Sequence, residues 1–138
     1  MWTVIKIDKK NLSTLKHELK KKIGKDVVFY NPQFLINKFI KNRLINKKID
    51  LLNGYIFCFH TKFQNLNEIK KLRFTKGLKY FLDGYLKCQS EINFFINKCK
   101  ENEDSKGFLK NSFVDFKINE MYKFATGPFS NSIFKLIE

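Results

Sequence analysis

The 138-residue chain is poor in the residues that build disulfide frameworks and flexible linkers. Its three cysteines, Cys58, Cys88 and Cys99, include no CxxC pair, which predicts neither a disulfide framework nor the usual spacing of zinc ligands. Only 2 prolines and 6 glycines are present, and no Ser/Gly/Pro-rich stretch separates large domains. No apolar run approaches the roughly 20 residues that span a bilayer, and the N-terminus lacks a signal-peptide pattern. The sequence therefore favours a reduced, cytoplasmic protein with one main core and no membrane contact.

Recognisable catalytic signatures are also missing. The two histidines, His17 and His60, have no Asp or Glu at a telling spacing, and there is no Gly-rich phosphate loop, no GxSxG and no paired-His motif. We interpret both histidines as structural and the cysteines as small apolar core residues. The sequence predicts a protein that is not an enzyme and needs no metal ion and no cofactor.

The charge of the chain is strongly unbalanced. Lysine and arginine together number 27 against 13 acidic residues, so the formal net charge is +14. This excess favours an anionic partner such as nucleic acid or an acidic protein surface. Only Arg43 and Arg73 are arginine, and the abundant Lys, Asn, Ile and Phe are typical of an AT-rich genome, so part of the charge reflects codon usage. Hydrophobic residues at 43% and aromatic residues at 16% are ample for a folded core.

Strand and helix patterns alternate along the first hundred residues. Apolar, β-branched runs predict strands near 2–7, 27–30, 54–59 and 77–82, and a hairpin with arms at 34–39 and 44–52 around a turn at 41–43. Helical spacing predicts helices at 12–23, at 65–72 with Asn65 as cap, and after a capping Ser90. The unbroken apolar run at 54–59 predicts the central strand. The fold class expected is α+β, a mostly antiparallel sheet flanked by helices.

A polar, charged stretch at 100–106 is the one convincing linker. It divides the chain into a first domain, residues 1–106, and a linker with a short β segment, residues 107–138.

Several motifs in the predicted order resemble the NusG family. Trp2 in the first strand, Asn31-Pro32, LLNGYIF at 51–57 and TKGLKYF at 75–81 resemble its N-terminal (NGN) domain, and FKINEMYKFATGPFS at 116–130 resembles the opening of its KOW domain. Asn53 stands where the family usually has proline, and Asn119 where the KOW motif has glycine. The stretch after Asp115 is too short to close a KOW barrel. The resemblance therefore implies an NGN-like sandwich followed by an incomplete KOW-type segment.

This resemblance implies a transcription elongation or antitermination factor. In the family, the NGN domain binds the clamp helices of the largest RNA polymerase subunit through a hydrophobic hollow on its sheet and promotes processive elongation. Tyr55 and Phe57 lie two residues apart and so share one face of their strand. They are the predicted polymerase-binding residues, with Phe81 as a further wall of the hollow, and we expect the rings of Tyr55 and Phe57 to be uncovered in the free protein. Ordinary core packing is the alternative for these aromatics.

A cluster of basic residues lies on the predicted hairpin, with no acidic residue between positions 37 and 49. Such a cluster predicts an electrostatic, sequence-tolerant contact with DNA phosphates. A solvated edge that prevents strand-to-strand aggregation is the alternative. The candidate nucleic-acid-binding residues are Lys38, Lys41, Arg43, Lys47 and Lys48.

Two further functions fit the same residues. The first is an operon-specific paralogue of the kind represented by RfaH, a specialised branch of the NusG family. The second is a ribosome- or RNA-associated basic module, in which charge and exposed aromatics bind RNA directly. For a protein that binds polymerase, the expectation is a cytoplasmic monomer.

Overall fold

Two antiparallel sheets organise residues 1–110, the part of the chain described by the computed structural model. The strands are β1 (Trp2–Ile7), β2 (Val28–Tyr30), β3 (Gln33–Ile40), β4 (Arg43–Asp50), β5 (Tyr55–Phe59) and β6 (Leu78–Phe81). The larger sheet has four strands in the order β2-β5-β1-β6, and the smaller is a hairpin of β3 and β4. Within the same residues the α-helices are α1 (Leu12–Ile23), α2 (Leu66–Leu72) and α3 (Gln89–Glu101). The predicted α+β class, with a mostly antiparallel sheet flanked by helices, is confirmed.

β1 and β5 form the centre of the larger sheet because both are apolar along most of their length. They pair antiparallel from Trp2 opposite Phe59 to Lys6 opposite Tyr55. Between these ends every residue of both strands is buried. A strand covered on both faces requires a nearly continuous apolar run, and the prediction that 54–59 forms the central strand is confirmed.

Different helices cover the two faces of the larger sheet. α3 covers the face that carries Phe57, because the ring of Phe95 lies 5.8 Å from the ring of Phe57. α1 lies on the opposite face, where Lys16 Nζ is 5.7 Å from the ring centroid of Phe29. The buried helical positions repeat at the predicted spacing: Leu15, Leu19 and Ile23 in α1, and Ile92, Phe95, Ile96 and Cys99 in α3.

The N-termini of α2 and α3 are held in different ways. Asn65 caps α2 as predicted, since its Oδ1 accepts a hydrogen bond from the Asn67 N–H at 2.9 Å. The prediction that Ser90 caps α3 is wrong, because the helix begins at Gln89 and Ser90 lies inside it. The Gln89 amide accepts from the Trp2 N–H at 2.9 Å and donates to the Trp2 carbonyl at 2.7 Å. This long-range pair of hydrogen bonds, which no local pattern reveals, ties the start of α3 to β1.

The predicted hairpin is present and forms a sheet of its own. β3 and β4 pair along their whole length, and Lys41 and Asn42 form a two-residue turn with φ of 52° and 63°. Left-handed φ at both positions is the geometry of a type I′ turn, which matches the twist of the strands. Arg43, expected in the turn, is the first residue of β4. Near the turn the hairpin is open to solvent, and Phe39 is 78% exposed.

Packing of the first unit continues past residue 106, where the sequence predicts a boundary. Leu109 is buried in the same core, and its N–H donates to the Gln33 carbonyl at the base of the hairpin, 2.8 Å away. From residue 111 onward, the predicted KOW-like segment lies outside the described residues. Within residues 1–110, no helix combines the length and apolarity needed to cross a bilayer.

We expect the three cysteine thiols to be unreactive toward alkylating reagents in the native protein. Cys58, Cys88 and Cys99 are fully buried, and burial raises the pKa of Cys58 and Cys99, so neither access nor thiolate formation favours alkylation. Labelling with a maleimide under native conditions should leave all three unmodified, whereas denaturation should expose three thiols, as read by intact mass. A Ser105→Cys variant, on the surface, should label at once and serves as the control. Rapid native labelling of the wild type would contradict this burial.

Candidate functional site

The sheet face that carries α3 changes from a closed core to an open aromatic surface. Lys6 in β1 pairs with a tyrosine in each of the two flanking strands. Tyr55 lies opposite it in β5, and Tyr80 lies opposite it in β6. Residues directly opposite each other project from the same face of a sheet. Exposure rises along this face, from the buried Phe57 through the half-buried Tyr55 to Tyr80, which is 47% exposed.

The expectation that Phe57 is open to a partner is wrong. Its side chain has 0% exposure, and the rings of Trp2, Tyr30 and Phe95 have centroids within 6.3 Å of its ring. The apolar stripe of α3 supplies Phe95 and closes this part of the sheet. Phe57 therefore belongs to the core, where it supports the surface that Tyr55 forms.

Phe81 does not line the same surface as Tyr55, so its expected place as a wall of one hollow is also wrong. It pairs with Ile5, which is next to Lys6 in β1 and so faces the other side of the sheet. There its ring lies 5.7 Å from the ring of Phe63. The β6 residue on the same face as Tyr55 is Tyr80, which the sequence analysis did not single out.

Lys6, Tyr55 and Tyr80 form a compact group that we call the Tyr–Lys cluster. The two phenol oxygens are 2.7 Å apart, and the rings meet edge to face with centroids 6.3 Å apart. Lys6 Nζ lies 4.3 Å from the centroid of the Tyr55 ring, which is cation–π distance. The hydrogen bond to Tyr80, followed by burial, raises the pKa of Tyr55 to about 12, so this phenol is neutral and keeps its proton at physiological pH.

The five predicted nucleic-acid-binding residues all lie exposed on the hairpin, but they do not form one face. The β3–β4 register places three of them on one side, one on the other and one in the turn. Exposed apolar side chains lie between them, among them Phe39 and Leu44. Lys38, Arg43 and Lys47 lie on one side of the hairpin, Lys48 lies on the other side, and Lys41 lies in the turn.

A second basic surface, which the sequence analysis missed, follows α2. No acidic residue occurs between Glu68 and Asp83, and Phe74 in the middle of this segment is 92% exposed. Lys22 Nζ at the end of α1 donates to Thr75 Oγ1 of this segment at 3.0 Å. The acid-free run is a signal that could have been found in the sequence. The exposed cations of the segment are Lys70, Lys71, Arg73, Lys76 and Lys79.

His60 is buried, and both of its ring nitrogens have partners. Nε2 is 3.0 Å from Asp26 Oδ1, and Nδ1 accepts from the Lys62 N–H at 3.0 Å. The hydrogen bond from His60 is the largest cause that lowers the pKa of Asp26. This histidine links the loop before β2 to the end of β5. Among residues 1–110, no group of three His, Cys, Asp or Glu side chains is arranged to hold a metal ion.

Together these features define an α+β domain with surfaces suited to binding: an aromatic and cationic cluster on the α3 face, and two basic surfaces elsewhere. Compared with known proteins, the chain matches no family model and no curated protein.

Proposed function

We propose that this protein is a NusG-like transcription elongation or antitermination factor that binds the clamp helices of RNA polymerase. The observation that carries the proposal is the position of Tyr55. It stands where the Gly-Tyr-x-Phe motif of the NusG resemblance implies a polymerase contact, and it is half-buried next to the exposed Tyr80 on the α3 face.

Aromatic residues of this kind are frequent energetic anchors of protein interfaces. Tyr55 and Phe57 share one face of β5, and the ring of Phe57 packs against Phe95 of α3. A surface supported by a packed core loses little conformational entropy on binding. Tighter binding to the closed, elongation-competent clamp than to other states then shifts the polymerase toward processive transcription without any chemistry on the part of the protein.

The basic surfaces suit a non-specific contact with DNA. The hairpin cations are exposed, and no acidic residue lies between positions 37 and 49 to oppose them. Contacts of this type follow the phosphates and weaken as salt rises. Two such hairpins would repel each other, which supports a monomeric protein, and a polymerase partner places the proposed function in the cytoplasm.

Binding of the full chain to core polymerase tests the function. Tyr55→Ala should weaken binding roughly 30-fold, since an anchoring aromatic contributes about 2 kcal/mol. Phe74→Ala removes an equally large and more exposed ring from another surface and should bind as the wild type does. Equal affinity of the wild type and Tyr55→Ala would count against the proposed interface, and a wild type that binds no polymerase would exclude the function.

The exposed Phe74 favours one alternative, direct binding of RNA by a basic module. Arg73 Cζ lies 5.9 Å from its ring, and an exposed aromatic among cations is typical of surfaces that stack single-stranded bases. Under this alternative, RNA affinity exceeds polymerase affinity and depends on Phe74 rather than Tyr55. A role restricted to a few operons, as in RfaH, would instead keep the dependence on Tyr55 and add a preference for particular DNA sequences.

The proposed contact between the hairpin and DNA can be tested by the salt dependence of DNA affinity. Replacing Lys38, Arg43 and Lys47 together by alanine should reduce the slope of log affinity against log salt for duplex DNA by about 2 to 3, since each phosphate contact contributes about 0.9. A control variant in which Lys10, Lys87 and Lys106, all exposed, become alanine removes the same charge elsewhere. If both variants change the slope equally, overall charge rather than the hairpin determines DNA binding.

A further inference from the structure

The Tyr–Lys cluster contains an ammonium group that has no acidic partner among residues 1–110. Lys6 extends from the central strand β1 and is only partly exposed, with Nζ against the Tyr55 ring. None of the ion pairs within residues 1–110 includes Lys6, whereas Lys9 nearby is paired with Asp50. A partly exposed cation of this kind is available to pair with a complementary anion, and hydrogen bonds between ionised groups are the strong ones.

The ammonium group lies in the space that a side chain at position 54 would occupy. Gly54 has φ of +84°, and a Cβ atom there would lie 2.7 Å from Lys6 Nζ and 3.4 Å from Lys6 Cε. Glycine thus provides both the left-handed turn before β5 and the space in which the ammonium group lies. The Lys6 side chain therefore lies between Gly54 and the ring of Tyr55.

The Tyr–Lys cluster has hydrogen-bond donors that could bind a ligand. The two phenols have two protons, and the single hydrogen bond between Tyr55 and Tyr80 uses one of them. Within residues 1–110 the other O–H has no acceptor, whichever phenol holds it, and the Lys6 ammonium adds N–H donors. An anionic acceptor satisfies both groups at once, and such charge-assisted hydrogen bonds are the strong ones. A purely apolar partner would instead leave the ammonium group desolvated and unpaired.

We propose that the Tyr–Lys cluster binds a carboxylate side chain at the tip of the partner's helical hairpin, with Lys6 and Tyr80 as residues that determine specificity. This inference rests on the proposed function and names the chemistry of its interface. The cluster contributes one cation beside one half-buried ring, Tyr55, and one exposed ring, Tyr80, which fits one carboxylate on a protein. The phosphates of a nucleic acid are matched better by the hairpin and the surface after α2, where several exposed cations lie close together in sequence.

Conservative variants of the full chain separate this contact from the aromatic anchor. Lys6→Met keeps most of the side-chain volume but removes the charge, and it should weaken binding to core polymerase about tenfold or more, as expected for loss of a charge-assisted pair. Tyr80→Phe should weaken binding by roughly three- to tenfold. Lys10→Met, at an exposed site outside the cluster, should bind normally, and urea unfolding should confirm that all three variants remain folded.

A charge exchange identifies the carboxylate itself. The acidic residues of the polymerase clamp helices are replaced by lysine one at a time, and each variant is tested against Lys6→Glu. We expect Lys6→Glu to lose binding to the wild-type polymerase and to regain most of it with one of these lysine variants.

The possible failures are distinguishable. If Tyr55→Ala loses polymerase binding while Lys6→Met and Tyr80→Phe bind normally, the carboxylate contact is wrong and the proposed function stands. The carboxylate contact is equally wrong if no lysine variant restores binding to Lys6→Glu, or if Lys6→Met impairs only DNA binding in a filter assay. If the wild type does not bind polymerase at all, both proposals are wrong.

Discussion

Replacing Phe57 by alanine should lower the free energy of unfolding by about 3–5 kcal/mol, the usual loss for a large aromatic removed from a core. Phe57 has 0% exposure and lies among the rings of Trp2, Tyr30 and Phe95. These neighbours belong to β1, β2 and α3, so no single element can move to fill the cavity. Polymerase binding should fall as well, because Tyr55 loses the support beneath it.

Urea unfolding followed by circular dichroism measures this loss. Phe39→Ala is the matched control, since that ring is 78% exposed and surface substitutions usually change stability by less than about 0.5 kcal/mol. If Phe57→Ala fails to fold, Phe57→Leu supplies a smaller, graded loss at the same site. A change of less than about 1 kcal/mol for Phe57→Ala would mean that the ring is not part of a close-packed core.

Gly77→Ala should destabilise the protein much more than Gly84→Ala, although both glycines have φ of +89°. A Cβ atom at Gly77 would lie 2.7 Å from the Asn11 carbonyl oxygen and 2.9 Å from Leu15 Cβ, whereas at Gly84 no atom of the described part of the chain lies within 4 Å. The shared left-handed backbone costs a side chain about 1–2 kcal/mol. Crowding against α1 should add about 1–3 kcal/mol at Gly77 alone.

The difference between the free energies of unfolding of these two variants measures the crowding alone, because the backbone strain is common to both. Thermal or urea unfolding of the two proteins side by side gives it directly. Gly77 also accepts a hydrogen bond from the Asp8 N–H at 2.9 Å, so its displacement would disturb the start of α1. Equal losses at the two positions would show that the turn before β6 is not in close contact with α1.

Elements with strong local signals could be predicted from the sequence. The apolar run at 54–59 forms the central strand β5, and the hairpin forms around Lys41 and Asn42. The helical stripe ending at Cys99 faces the core. In each case the signal lies within a short stretch of consecutive residues, and no distant contact overrides it.

The candidate site was less predictable because its geometry depends on strand register. The β1–β6 pairing is irregular between Lys6 and Ile7, and a shift of one residue exchanges the faces on which side chains lie. For this reason the sequence indicated Phe81 where the fold places Tyr80. The run of cations after α2 was visible in the sequence, but its exposure was not.

Composition and periodicity were therefore enough for the α+β class, the identity of the central strand, the hairpin and the excess of positive charge, since all of these depend on neighbours in the chain. The burial of Phe57, the pairing of Lys6 with Tyr55 and Tyr80, and the attachment of α3 through Gln89 depend on residues far apart in sequence. Such contacts arise only when helices and strands dock, because docking determines which side of an apolar strand is covered and which remains open to a partner.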